Sequence, residues 1–433
     1  MSDKDGTTKE FSSKALATAA ACTIGMMVSV VPFHIGTFPL FLQPVSQEFG
    51  WGRATFASSL NMSAILAALA APFVGRAVDR FGARRLLLPA IVLYALATMA
   101  QSQLTHSKLQ FYATYAALGF TEAVAGPVAF SHLISSWFHT KRGLMLSLVI
   151  GAAPAVSIMI MAPVTHMLIA SYGWRTAYLV LGLIILVLGF PSMAFLLKEP
   201  ERTGPKTAAG RAAAIAALPG KTLGQVAASA TFWCIIAALV IHSLVVGGVR
   251  AHTVALLTDR GLAIGVATLA VSISALAGLL GNVTAGVLLD RAPTSKIALP
   301  FFIAALLGLL LLHHASTATM ALAGAAILGF GIGAESGIGP YFFSRYFGMR
   351  AFGTVYGCLV SLLAISSGVG PMLLGMTFDK FGSYGRGLVI AEIGLALGGV
   401  LVALLGPYIY AARRSAEELT ETNPPTGAAM EEA

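Results

Sequence analysis

Arg250 stands inside a long apolar run, Val240–Leu257, where a guanidinium has no ordinary reason to be. A cation at the centre of a membrane helix costs at least about 2.5–3.5 kcal/mol on insertion scales. It is therefore expected to face a cavity or a partner, with snorkelling to the nearer surface as the plain alternative. A guanidinium matches a carboxylate in a two-pronged fork, so the chemistry on offer is binding of an organic anion. His252, two positions on, points about 200° away on a helix and is not expected to share that task. Three acids lie in comparable runs: Glu122, Glu335 and Glu392. A carboxyl in a low-dielectric site holds its proton more tightly unless paired. Glu122 and Glu335 are thus candidates for proton coupling, against the alternative of a structural hydrogen bond or ion pair. His242 and His34 titrate in the useful range; we assign His242 to proton coupling and His34 to the substrate, against a neutral imidazole bonded to backbone. Asn61 and Asn282 are candidate substrate hydrogen-bonders, or glue between helices.

No nucleophile, base and metal-ligand constellation of an enzyme is present, so no catalytic residue is assigned. His313 and His314 are adjacent, which is not the i,i+4 spacing of a helical metal pair, and no metal or cofactor is expected. Cys22, Cys234 and Cys358 lie in apolar runs and read as small packing residues. Phe33, Phe38 and Phe41 suit an apolar pocket near His34, and equally packing or lipid contact.

The elements that must position these groups follow from composition. The chain has 433 residues, of which 57% are hydrophobic and 10% charged. A soluble domain carries about 25% charged residues. Too little charge is left to cover a water-facing surface, and too much apolar residue for disorder. The net charge of +9 is spread over short connections, with no basic stripe for nucleic acid.

A helix needs about 20 apolar residues to cross the hydrocarbon core. Runs of that kind fall near 16–43, 55–76, 85–104, 109–137, 143–170, 175–197, 231–257, 263–288, 296–313, 318–345, 352–377 and 386–411. The fold class is all-α integral membrane, with twelve spans in two six-helix bundles. We divide the chain into a tail at 1–14, a first bundle at 15–197, a linker at 198–230, a second bundle at 231–412 and an acidic tail at 413–433. With the N-terminus inside, cytoplasmic segments hold twenty of the 27 Lys and Arg, and external loops six. That bias places both termini in the cytoplasm, in a cell inner (plasma) membrane.

The halves repeat at an offset near 211. Gly75–Arg85 (GRAVDRFGARR) and Gly286–Lys296 (GVLLDRAPTSK) share G-x-x-x-D-R. Glu122, Gly126, Pro127, Phe130 and Ser131 recur as Glu335, Gly339, Pro340, Phe343 and Ser344. A parallel repeat of six-helix halves gives a pseudo-two-fold axis along the membrane normal and a cavity between the halves. Span 5, with Gly151–Pro163, is expected to pack on span 8 across that axis.

GRAVDRFGARR resembles the signature loop between spans 2 and 3 of the major facilitator superfamily, in its full G-x-x-x-D-R-x-G-x-R-R form. FGWGRATFASS, SYGWRTAYLV and LLTDRGL resemble the bacterial monocarboxylate-porter and oxalate/formate-antiporter-like branch. The resemblance implies a gating motif of Gly75, Asp79, Arg80, Gly82, Arg84 and Arg85, with Asp290 and Arg291 as its second copy. In it Asp79 meets the start of span 11 near Ala351–Gly353, and Asp290 the start of span 5. The chain departs from the branch in two places: span 8 has no intramembrane Asp/Arg pair, and span 11 no Lys.

The function expected is secondary transport of a small organic anion, a monocarboxylate or an aromatic acid, with H+ and by alternating access. Arg250, His34, Asn61 and Asn282 would bind it. The expected partners are that anion, H+ and the lipid bilayer, with no nucleic acid and the chain as a monomer. The alternatives are efflux of a drug-like solute, carboxylate exchange on the same fold, and an integral-membrane enzyme or sensor.

Overall fold

A computed structural model describes residues 12–138, 145–198, 220–291, 294–348 and 350–410. Most of the linker and all of the acidic tail lie outside these residues, as does Gly143, where the partner of Asp290 was expected. The backbone of Gly75, Asp79, Arg80 and Asp290 is described, and their side chains are not.

Among the described residues the regular elements are helices. In a bilayer this is imposed, because only a helix or a closed barrel pairs its own backbone groups. Ten stretches are long and apolar enough to cross. One of them, Ser147–Leu196, is 50 residues long and breaks at Gly173, whose φ of 81° and ψ of 164° only glycine adopts readily. It makes two crossings. The 29-residue helix Arg53–Phe81, less apolar than the others, brings the number to twelve.

In chain order the first set is α1 (Ser13–Met27), α2 (Phe38–Phe49), α3 (Arg53–Phe81), α4 (Ala83–Ala100), α5 (Lys108–Val124), α6 (Pro127–Trp137) and α7 (Ala153–Ile184). The second is α8 (Leu223–Ala227), α9 (Ala230–Thr258), α10 (Ile264–Arg291), α11 (Leu299–His313), α12 (Ala318–Gly333), α13 (Glu335–Phe347), α14 (Phe352–Phe381) and α15 (Gly385–Ala403). Side-chain caps mark several starts: Ser12 on α1, Ser107 on α5 and Thr317 on α12 each accept a backbone N–H. Short α8 carries a reciprocal cap between Thr222 and Gln225.

Among the described residues, several spans are interrupted where the cavity lies, span 5 among them with a π turn at Ser147–Ala152. Span 1 loosens into a π turn, Val31–Ile35, between α1 and α2, as Pro32, Gly36 and Pro39 require. Span 4 breaks between α5 and α6, where Gly126 is extended ahead of Pro127. Span 10 breaks at Ala334, between α12 and α13. Glu122 lies in the last turn of the helix before one break, and Glu335 opens the helix after the other.

The internal repeat is visible in the packing. A Cβ on Gly119 would stand 2.2 Å from the Ser63 carbonyl oxygen, and a Cβ on Gly329 would stand 2.2 Å from that of Ser274. Two helix crossings, α3 with α5 and α10 with α12, are thus built on the same close approach. The halves meet along α3 with α14 and α7 with α10. The second is the expected contact of span 5 with span 8, and there the Ser272 hydroxyl donates to the Met159 carbonyl at 3.1 Å.

Candidate functional site

Two adjoining cavities lie between the halves, of about 480 and 250 Å³. Arg250 and Glu335 line both, with Val31, Ile35 and Ile332, so these are two lobes of one space. Arg250 is aimed there by its own helix. Gly247 and Gly248 press α9 against α14, where a Cβ on Gly247 would come within 2.5 Å of the Ser367 carbonyl oxygen. Arg250, three positions on from Gly247, lies near that same side of α9, and its half-buried side chain lines both lobes beside the contact. Among the described residues no carboxylate lies within 4 Å of it. Snorkelling is not its resolution.

Glu335 lies close enough for its charge to act on Arg250. Its carboxylate stands 3.5 Å from Nδ1 of His242. That is ion-pair distance without hydrogen-bond geometry, and Nδ1 is buried with no partner among the described residues. His242 itself lies behind Glu335, against the Phe302 ring, and does not line either lobe.

Glu122 and His34 face the smaller lobe. Tyr115 meets the His34 ring edge-on at 4.8 Å, and His34 Nε2 is buried without a partner among the described residues. Each half therefore contributes one acid to the lining; His242 stands behind Glu335, and His34 lines the same lobe as Glu122. The lining has one cation, Arg250, and two acids among its described residues. Asn282 lines the larger lobe.

Other expected site residues lie elsewhere. Asn61 lines neither lobe: a Cβ on Gly368 would come 2.7 Å from its Cα, so it belongs to the crossing of α3 with α14. An amide at a helix crossing and one in a cavity read alike in sequence. Glu392 accepts from or donates to His313 Nδ1 at 2.6 Å, away from the cavity, as an intramembrane acid paired at a span end. Of the loop motif, Gly82 holds a φ of 91° and Arg84 donates to the Ala194 carbonyl at 2.6 Å. Arg85 and Arg291 are exposed. The expected contacts of Asp79 and Asp290 fall on side chains outside the described ones.

Sequence reasoning missed a polar latch across the halves. Arg53, at the start of α3, pairs with Asp259, at the end of α9, through both of its terminal nitrogens. It also donates to the Tyr384 hydroxyl at 2.6 Å and lies 3.6 Å over the Phe378 ring. Asp379 accepts the backbone N–H groups of Arg53 and Ala54 at 2.8 and 2.9 Å, capping α3 from the other half. Gln43 reaches Thr258 and Asp259. Three of the quoted motifs hold the signal: FGWGRATFASS carries Arg53, LLTDRGL carries Asp259, and SYGWRTAYLV carries Trp174 and Arg175. The last two both donate to Glu48, at this same end of the molecule. Burial pushes the Glu48 carboxyl up, but these N–H groups and the Arg175 charge outweigh it and hold it below the ordinary glutamate value near 4.5.

A sequence profile of the Major Facilitator Superfamily matches residues 17–371. "Uncharacterized MFS-type transporter YcxA" of Bacillus subtilis (strain 168) is 26% identical over 173 residues, 40% of this chain and 42% of that protein. The match thus spans about two-fifths of that relative's length. An "MFS-type transporter" of Gibberella moniliformis (strain M3125 / FGSC 7600) is 25% identical over 361 residues, covering 79% of this chain and 80% of that one. Among solved structures, a bacterial homolog to the human lysosomal transporter Spinster, in an inward-facing and unoccupied conformation, superposes with a TM-score of 0.66. It is 16% identical and the match covers 93% of this chain and 97% of that one. At that identity the likeness speaks for the fold.

Proposed function

Because this chain belongs to the Major Facilitator Superfamily and is a transporter of that type, we propose that it moves a small organic anion together with H+ by alternating access. Arg250 carries this reading. It is a cation facing a cavity between two halves, with no carboxylate in ion-pair contact among the described residues.

Proton coupling follows from the charges. With both acids ionised, Arg250, Glu122 and Glu335 sum to −1, and a bound carboxylate makes −2 in a low-dielectric space. Uncompensated charge at membrane depth costs several kcal/mol. Protonation of Glu335 or Glu122 brings the sum back to −1, the value before the anion bound, and Glu335 also competes with the substrate for Arg250. The anion and the proton therefore favour each other's binding.

The Lys and Arg bias places both termini in the cytoplasm of an inner-membrane protein, and the latch then faces outward. On this assignment the described state is closed outside, which agrees with the inward-facing state named for the solved neighbour. Two acids beside an apolar lobe favour a second reading, efflux of a cationic drug-like solute. Uptake of radiolabelled carboxylates into proteoliposomes, with and without an imposed pH gradient, separates the two. Gradient-driven uptake that Arg250→Gln removes supports the anion reading. Uptake of organic cations, with indifference to every acid tested, excludes it.

A further inference from the structure

The two lobes differ in character. Of the twenty-nine described residues lining the larger, twenty-three are apolar or glycine. Of the eighteen described residues lining the smaller, seven are polar, among them His34, Glu122 and Ser63. Arg250 and Glu335 stand where the lobes join. The larger lobe is walled by both halves, with Ile35 and Ile158 on one side and Val271, Leu279 and Leu359 on the other.

Its volume of about 480 Å³ is in the range that holds a drug-sized ligand. It equals on the order of sixteen waters at about 30 Å³ each. An acid as small as acetate, held on Arg250, would leave most of that space as water against apolar walls. A longer apolar body would displace that water, and its transfer from bulk solvent is favourable in proportion to area.

Resting on the anion reading above, we infer that the substrate is an amphipathic carboxylate. Its carboxylate lies on Arg250 at the junction, and its apolar body fills the larger lobe. The smaller lobe takes the polar end: His34 lines it, is nine-tenths buried and has Nε2 without a partner among the described residues, and would bond a polar substituent of the substrate. Ile158 and Val271, from opposite halves, would both touch the body, so an apolar tail would itself bridge the two halves.

The test is isothermal titration of acetate, butyrate, hexanoate and octanoate into the protein in nanodiscs, with empty nanodiscs subtracted. Each added methylene should tighten binding by about four-fold. Arg250→Gln should weaken every acid more than ten-fold. Ala275→Leu, which fills part of the larger lobe, should shift the best ligand to a shorter acid, and Val271→Ala should not. Equal affinities along the series, with all of them lost in Arg250→Gln, would overturn the inference and leave the anion reading standing. Chain-length dependence that ignores Arg250→Gln would instead remove the anion reading on which it rests.

Discussion

Tyr384 joins Arg53 to His252 through one hydroxyl: it accepts an N–H from the guanidinium at 2.6 Å and lies 2.9 Å from the imidazole Nδ1. The Pro371 carbonyl, 2.9 Å from Nε2, can only accept, so Nε2 carries the proton. Nδ1 is then the acceptor, and the Tyr384 hydroxyl, already accepting from Arg53, donates to it. The latch between the halves thus continues into the helix that bears Arg250. Tyr384→Phe leaves a buried imidazole nitrogen unpaired, at a cost of about 1–3 kcal/mol. Thermal unfolding should show that loss. Combined with Arg53→Ala, the double variant should lose less than the sum, because the two changes break one network. Strict additivity would mean that the residues act independently.

The shared geometry of Gly119 and Gly329 gives a symmetric expectation. A methyl group at either position meets a backbone carbonyl at 2.2 Å, and neither helix can yield without moving its whole crossing. Gly119→Ala and Gly329→Ala should each reduce the folded yield in detergent, by similar amounts, as overpacking at about 1–3 kcal/mol. Size-exclusion profiles of the two variants check this. Wild-type behaviour of both would show that the crossings are looser than drawn.

Glu335 shares the cavity with Arg250 and stands 3.5 Å from His242. On the proton-coupled reading, Glu335→Gln mimics the protonated acid permanently. Counterflow of substrate between two equal pools should survive, whereas accumulation driven by a pH gradient should vanish. Glu122→Gln tests the pseudo-equivalent acid in the same assay. Gradient-driven uptake that persists in both single variants and in the double variant would assign coupling elsewhere.

Glu48 supplies a pH dependence outside the membrane. Its folded-state pKa is lowered, so its pairing with Trp174 and Arg175 stabilises the fold above the ordinary value near 4.5. That contribution is lost as pH falls below 4.5 and through the lowered folded value. Melting temperatures recorded across this window should fall more steeply for the wild type than for Glu48→Gln, which has nothing to protonate. Parallel curves would mean that the pair contributes nothing.

What could be read from the sequence follows the same physics. The spans were legible because an apolar run of that length has nowhere to go but the bilayer. Arg250 was legible for the converse reason: a cation in such a run must find a cavity. Glu122 and Glu335 stood out by their matched motifs, though not that each sits at a break in its helix. Asn61 read equally as a cavity residue or as glue between helices, because a neutral amide carries no comparable penalty that would reveal its surroundings. The latch was hidden because Arg53, Asp259 and Asp379 lie at span ends, where charges are ordinary. Their partners are 206 and 326 positions apart in the chain, and only the fold brings them together. Glu392 and His313 were similarly separated, by 79 positions.

Alternating access requires the halves to part at the Arg53–Asp259 contact for substrate to pass. Arg53→Cys and Asp259→Cys, placed in a chain whose Cys22, Cys234 and Cys358 are replaced, allow that contact to be locked by an oxidant or a short bifunctional cross-linker and, for the disulfide, released by a reductant. Substrate flux into proteoliposomes should stop on locking and return on reduction. Flux that continues at the unlocked rate, with cross-linking complete by gel shift, would contradict the account.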